Sequence, residues 1–88
     1  MKNRVQVTVA GVTFSVLTDD EADFTRSVAK TVNDRINAIV LQTADCTKLK
    51  AAALCSMDYC SENMQMRFRV AELQARVKFL EGELAKKG

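Results

Sequence analysis

Chemistry in this sequence would have to start from three thiols and eleven carboxylates, because histidine is absent. The thiols are Cys46, Cys55 and Cys60. Cys55 and Cys60 are five residues apart, about 140° around a helix, so they do not share a face. There is no CxxC pair, and no set of ligands with zinc spacing forms. Cys55 and Cys60 are expected as small buried hydrophobes, and nothing marks Cys46 as reactive. Acid–base catalysis needs paired carboxylates in a pocket or a histidine titrating near neutrality. The carboxylates here gather at expected helix starts and on exposed helix faces, where capping and solvation account for them. No catalytic residue, metal ligand or cofactor site is expected, and the chain does not read as an enzyme.

Composition narrows the remaining classes. Eighty-eight residues make at most one domain, and a small one for burying its own core. Apolar residues at 48% and charged residues at 27% describe a globular chain rather than a disordered one. The net charge of +2 argues for neither a nucleic acid nor a membrane surface. An odd cysteine count with no secretory signal at the start predicts a reducing, cytoplasmic setting. No apolar run reaches 18 residues, so no membrane insertion is expected.

The elements follow from periodicity. "RVQVTV" over 4–9 and "VTFSVL" over 12–17 alternate strictly, so Val5, Val7 and Val9 share a face, as do Val12, Phe14 and Val16. Gly11 sits between the runs and suits a tight turn, which predicts a β-hairpin over 3–17 with one buried face. Two strands alone are barely stable in water, so that face needs a cover. Thr18 and Glu21 have capping-box spacing, and Asp19, Asp20 and Asp23 favour the positive end of a helix dipole. A helix is therefore expected over 19–43. Phe24, Val28, Val32, Ile36 and Ile39 form its apolar stripe, widened by Ala29 and Val40. Lys30 and Asp34, four apart on the opposite surface, are placed to pair.

After "QTADCT", where Asp45 or Thr47 is a candidate cap, nothing stops a helix from Lys48 to Lys87. Forty residues at ~1.5 Å each make a helix of about 60 Å, longer than a head of 46 residues can cover. The start, "KLKAAALCSMDYC", is apolar nearly all round and should be buried on several sides. Beyond it, Met66, Val70, Leu73, Val77, Leu80 and Leu84 alternate spacings of four and three, a heptad seam. Val70, Val77 and Leu84 take the a positions; Met66, Leu73 and Leu80 take d. The frame runs back through Asn63 (a), Tyr59 (d), Ser56 (a), Ala52 (d) and Leu49 (a). Valine at a with leucine at d favours two parallel strands, and a lone asparagine at a fixes register at some cost in stability. In that pairing Glu62 meets Arg67 of the other strand and Arg76 meets Glu81, so no like charges clash. Phe68 and Phe79 fall outside the seam and suggest a second contact surface, for example between two dimers. The expected organisation is a single domain. Its head covers 1–46 and its long helix 47–88, with 47–62 packed on the head and 63–87 as coiled coil. A DNA-binding zipper would need a dense basic stretch before the heptads, and "AAALCSMDYC" is not one.

The layout and several local stretches resemble the ZapA family of bacterial cell-division proteins. "VQVTVAGVTFSV" is similar to the family's hairpin, with Gly11 at the turn and Phe14 three residues on. "VAKTVNDRINAI" is similar to its first helix; Val28, Ala29, Val32, Asn33, Arg35, Ile36 and Ile39 fall on the pattern V-A-x-x-V-[DN]-x-[RK]-[MIL]-x-x-I. "KLKAAALCSMDY" matches the start of the long helix. Ser56 and Cys60 stand about where members often carry an asparagine and an acidic residue. The resemblance implies a non-catalytic cytoplasmic factor at the division site. It would be a homodimer or homotetramer that binds the tubulin-like FtsZ and bundles its protofilaments in the septation ring. It leads to Arg4, Arg26, Lys30, Arg35 and Lys48 as the expected partner-binding residues, since FtsZ is acidic in this family context. The alternative is a generic coiled-coil scaffold whose head binds another cytoplasmic protein.

Overall fold

The computed structural model describes residues 2–87. They form an α+β chain ordered β1 (Asn3–Val9), β2 (Val12–Thr18), α1 (Ala22–Gln42) and α2 (Lys48–Lys87). Met1 and Gly88, the outer ends of the expected head and long-helix ranges, lie outside the described residues. The chain divides into two compact units, 1–56 and 57–88.

β1 and β2 pair antiparallel, with Val5 opposite Val16, Val7 opposite Phe14 and Val9 opposite Val12. The turn has two central residues, Ala10 at φ +54° and Gly11 at φ +78°. Positive φ at both positions is what a type I′ turn requires, and its twist suits a two-residue hairpin. The pairing extends one residue past the expected end, joining Asn3 to Thr18.

That extension moves the start of α1. Thr18 stays in the ladder, and its hydroxyl accepts a hydrogen bond from the Asp20 amide at 3.0 Å. The Asn3 side-chain amide donates to the Asp20 carbonyl at 3.1 Å. The expected capping box is therefore not made. Glu21 becomes the N-cap, with extended backbone and no side-chain cap, and the helix begins at Ala22 rather than 19. It ends at Gln42, where the Thr43 amide bonds the Ile39 carbonyl. Lys30 and Asp34 pair at 3.0 Å.

Thr47 caps α2. Its hydroxyl accepts from the Lys50 amide at 3.1 Å and its carbonyl from the Ala51 amide at 2.9 Å. Asp45 instead holds a left-handed conformation at φ +55° in the connecting loop. That conformation is one that Asp tolerates better than most residues. α2 then runs 40 residues with Gly82 inside it.

Among the described residues of unit 1–56 the buried core is small: Val5, Val7, Ile36, Ala51 and Cys55. α1 packs on β1. The inner face of the hairpin is consequently covered more fully on β1 than on β2. Val5 and Val7 are buried, while Val12 and Phe14 on β2 keep 60% and 45% of their surface exposed. The stripe of α1 is likewise split along its length. Ile36 is buried, but Phe24 and Val28 remain open. The expectation of a buried hairpin face is corrected accordingly: α1 lies over β1, while on β2 Val12 and Phe14 stay exposed and Val16 is half-buried.

Candidate functional site

Two surfaces stand out, one in each unit. In unit 57–88, α2 carries the heptad stripe. Met66, Val70, Leu73, Val77, Leu80 and Leu84 are all at least half exposed, and Asn63 is exposed on the same stripe. Apolar side chains spaced four and three apart on one helix form a continuous seam, and water against all six is a standing cost that association would remove. Phe68 and Phe79, 72% and 66% exposed, lie off the seam. The same helix thus offers apolar surface on more than one side.

In unit 1–56, an open apolar groove of about 350 Å³ lies between β2 and the first half of α1. Val7, Val9, Phe14 and Val16 form one wall, and Phe24, Val28 and Val32 the other. Asp20 lines it as well. The sequence pattern alone places these apolar side chains in the core. Period-two and heptad-like patterns report that a face is apolar, and they do not report whether the chain itself covers it.

The five basic residues expected to bind a partner do not form one patch. Arg26 pairs with Asp23 at 3.4 Å and Lys30 with Asp34 at 3.0 Å, both on exposed helix surface. Arg35 is half-buried and engaged by a neighbour. Arg4 alternates away from Val5 and so lies on the sheet face opposite α1, across from Leu17. Lys48 reaches over the hairpin turn: its Nζ lies 3.2 Å from where a Cβ on Gly11 would stand. Charge is thus distributed around the head.

A contact that the sequence reading did not foresee ties the turn to α1. The Asn33 Oδ1 accepts a hydrogen bond from the Ala10 amide at 2.9 Å in a partly buried setting. In a two-residue hairpin the flanking residues close the ladder, and the first turn amide is left without a backbone partner. Asn33 supplies it, which gives a physical reason for a short amide side chain at this point of the helix.

Cys55 is buried as expected, whereas Cys60 is exposed and Cys46 is half-buried with its thiol directed to the Thr47 carbonyl. Among the described residues no group of three or more Cys, Asp or Glu side chains is placed to hold a metal ion. No helix among them is long and apolar enough to cross a membrane.

A hairpin, an amphipathic helix and a long helix with an exposed heptad stripe define a small α+β chain of coiled-coil type. The family model described as "Cell division protein ZapA" matches residues 5–87, and the chain belongs to that family. The fold is also that of a solved structure, a ZapA mutant dimer from Geobacillus stearothermophilus. The two align at a TM-score of 0.76 and 22% identity, over 89% of this chain and 91% of that one. No curated protein matches the chain significantly. The protein is therefore a ZapA-type division factor.

Proposed function

We propose that this chain is a non-catalytic assembly factor that binds FtsZ and cross-links or bundles its protofilaments at the cytoplasmic division ring. The exposed heptad stripe of α2, in a chain of this family, carries the reading. Two copies pair along Met66, Val70, Leu73, Val77, Leu80 and Leu84, with Asn63 fixing register. Phe68 and Phe79 supply a further apolar surface on which two dimers meet as a tetramer. Each assembly then presents two or more identical heads. A head of modest affinity becomes a strong attachment when several engage one filament bundle, because the second contact forms at high effective concentration. Arg4 and Lys48, for which no carboxylate partner stands among the described residues, are the leading filament contacts. Arg26, Lys30 and Arg35 come after them because each already has a partner.

The test is co-sedimentation of purified FtsZ filaments with this protein across a range of salt, alongside light scattering of the protein alone. Bundling and co-pelleting are expected, with a mass of two or four chains. Filaments that neither bundle nor carry the protein down would leave a scaffold for some other partner. A stable monomer at micromolar concentration would remove the seam.

A further inference from the structure

We propose that the outer edge of β2 is a docking edge for an extended segment of a partner protein, which joins the hairpin as a third strand. This rests on the filament-binding reading above and names the form of that contact: the segment belongs to the filament partner.

The hairpin leaves half of the β2 backbone unused. Val9 and Val12 close the two-residue turn with a hydrogen-bonded pair, and bonded and non-bonded pairs alternate from there. Val12, Phe14, Val16 and Thr18 therefore turn their N–H and C=O groups toward β1. Thr13, Ser15 and Leu17 turn theirs outward. The sheet has two strands, and among the described residues no backbone bond outside the ladder uses those outward groups. Neither α1 nor α2 packs along β2.

Edge strands are commonly guarded by a charge, a proline or a bulge. β2, "VTFSVLT", has no charged residue and no proline, and its register with β1 is unbroken. The other edge differs. β1 carries Arg4, and on its inner face Val5 and Val7 are already buried. A strand added there finds no apolar surface left to cover. A strand added to β2 lies beside Val12 and Phe14, which are exposed, and reaches toward Phe24 and Val28 across the groove. Alternate side chains of the segment cover that face, and those between them meet Thr13, Ser15 and Leu17 on the other.

The two ends of the edge carry opposite charge. Lys48 reaches over the turn at Gly11, while Asp19, Asp20 and Glu21 are exposed where β2 ends. The segment that fits is apolar at alternate positions, acidic near the turn and basic near Thr18. A second copy of β2 suits the edge less well. The chain has a two-fold contact along α2 in the pairing proposed above, and a further two-fold contact through β2 between dimers would extend without closing.

The experiment follows amide hydrogen exchange in the full-length protein, alone and with FtsZ filaments, read residue by residue by NMR after quenching. Protection of the Thr13, Ser15 and Leu17 amides on adding filaments is expected. Two proline variants accompany it in co-sedimentation. Ser15→Pro removes an outward donor without touching the bonds to β1, and should weaken binding about tenfold or more. Gln6→Pro puts the same ring on the same rung of the opposite edge and should bind as the parent does. If the protein pellets with filaments while the three amides stay unprotected, the proposal is overturned and filament binding stands. A Ser15→Pro variant that is folded by circular dichroism and binds as tightly as the parent overturns it equally. If Ser15→Pro does not fold, exchange in the parent decides alone. A parent that does not pellet with filaments brings down both readings. If the three amides are already protected in the protein alone and lose that protection on dilution, a second copy holds the edge and the proposal is overturned.

Discussion

Asn33 is the most informative single residue to change, because the hydrogen bond it accepts joins two elements. The Ala10 amide it satisfies is partly buried and 2.9 Å from the side-chain oxygen. Truncation in Asn33→Ala removes the acceptor and leaves that amide unpaired. A buried donor stranded in this way costs ~1–3 kcal/mol, and partial burial places this one at about 1–2 kcal/mol. For a domain of this size each kcal/mol is worth roughly 4–8 °C in Tm, so a drop of about 6–12 °C is expected for ~1.5 kcal/mol. The bond uses Asn33 as an acceptor, so Asn33→Asp should keep most of it and stay within about 3 °C of the parent. Thermal unfolding followed by circular dichroism gives the first number, at one fixed protein concentration because association also moves Tm. Amide hydrogen exchange gives the second, and the Ala10 amide should lose protection in Asn33→Ala while amides in the middle of α2 keep theirs. If Asn33→Ala melts within about 2 °C of the parent and Ala10 exchanges at the parental rate, Asn33 does not hold the turn and the reasoning fails.

Three further perturbations probe other links. Ala10 holds φ +54°, a conformation costly for alanine and easier for asparagine, so Ala10→Asn should raise Tm by a few degrees, for about 0.5–1 kcal/mol. An unchanged or lower Tm would mean the turn is not under that strain. Leu73 keeps 50% of its surface exposed in the single chain. Burying the rest in a seam is worth about half of the ~1.5–3 kcal/mol for a whole leucine, and both chains contribute, so Leu73→Ala should weaken the dimer roughly ten- to hundredfold by analytical ultracentrifugation. An unaltered dissociation constant would take Leu73 out of the seam. Asn63→Val should raise thermal stability while broadening the distribution of oligomers, and unchanged assembly would end its role as a register lock.

Local signals in the sequence were legible where nothing competed with them. α2 begins at Lys48 and reaches Lys87 as its pattern predicts, because a capping threonine and an absence of proline decide those bounds within a few residues. The start of α1 went the other way for a reason of range. Thr18 and Glu21 have the right spacing for a capping box, but strand pairing with Asn3, fifteen residues away, takes Thr18 first. Its hydroxyl then serves the Asp20 amide in a turn instead of the helix. The ion pairs Lys30–Asp34 and Arg26–Asp23 follow helical spacing, yet a list of basic residues does not say which of them are already engaged.

The core was the least legible part. Val28 and Ile36 lie two turns apart on one apolar stripe, and Ile36 is 2% exposed while Val28 is 46% exposed. Val7 and Phe14 face each other across one ladder, at 7% and 45%. No periodicity separates the members of either pair, since the difference arises from where α1 crosses the hairpin. Apolar patterning thus specifies which side chains must leave water, and not which chain they leave it against. Val28 and Phe14 satisfy the pattern equally well against another chain. The same holds for Leu73 and Val77 on α2. A chain whose apolar positions outnumber what it can cover alone is one in which folding and assembly draw on the same residues. Its stability should then depend on protein concentration, which dilution across the dimer dissociation constant would reveal as a falling Tm.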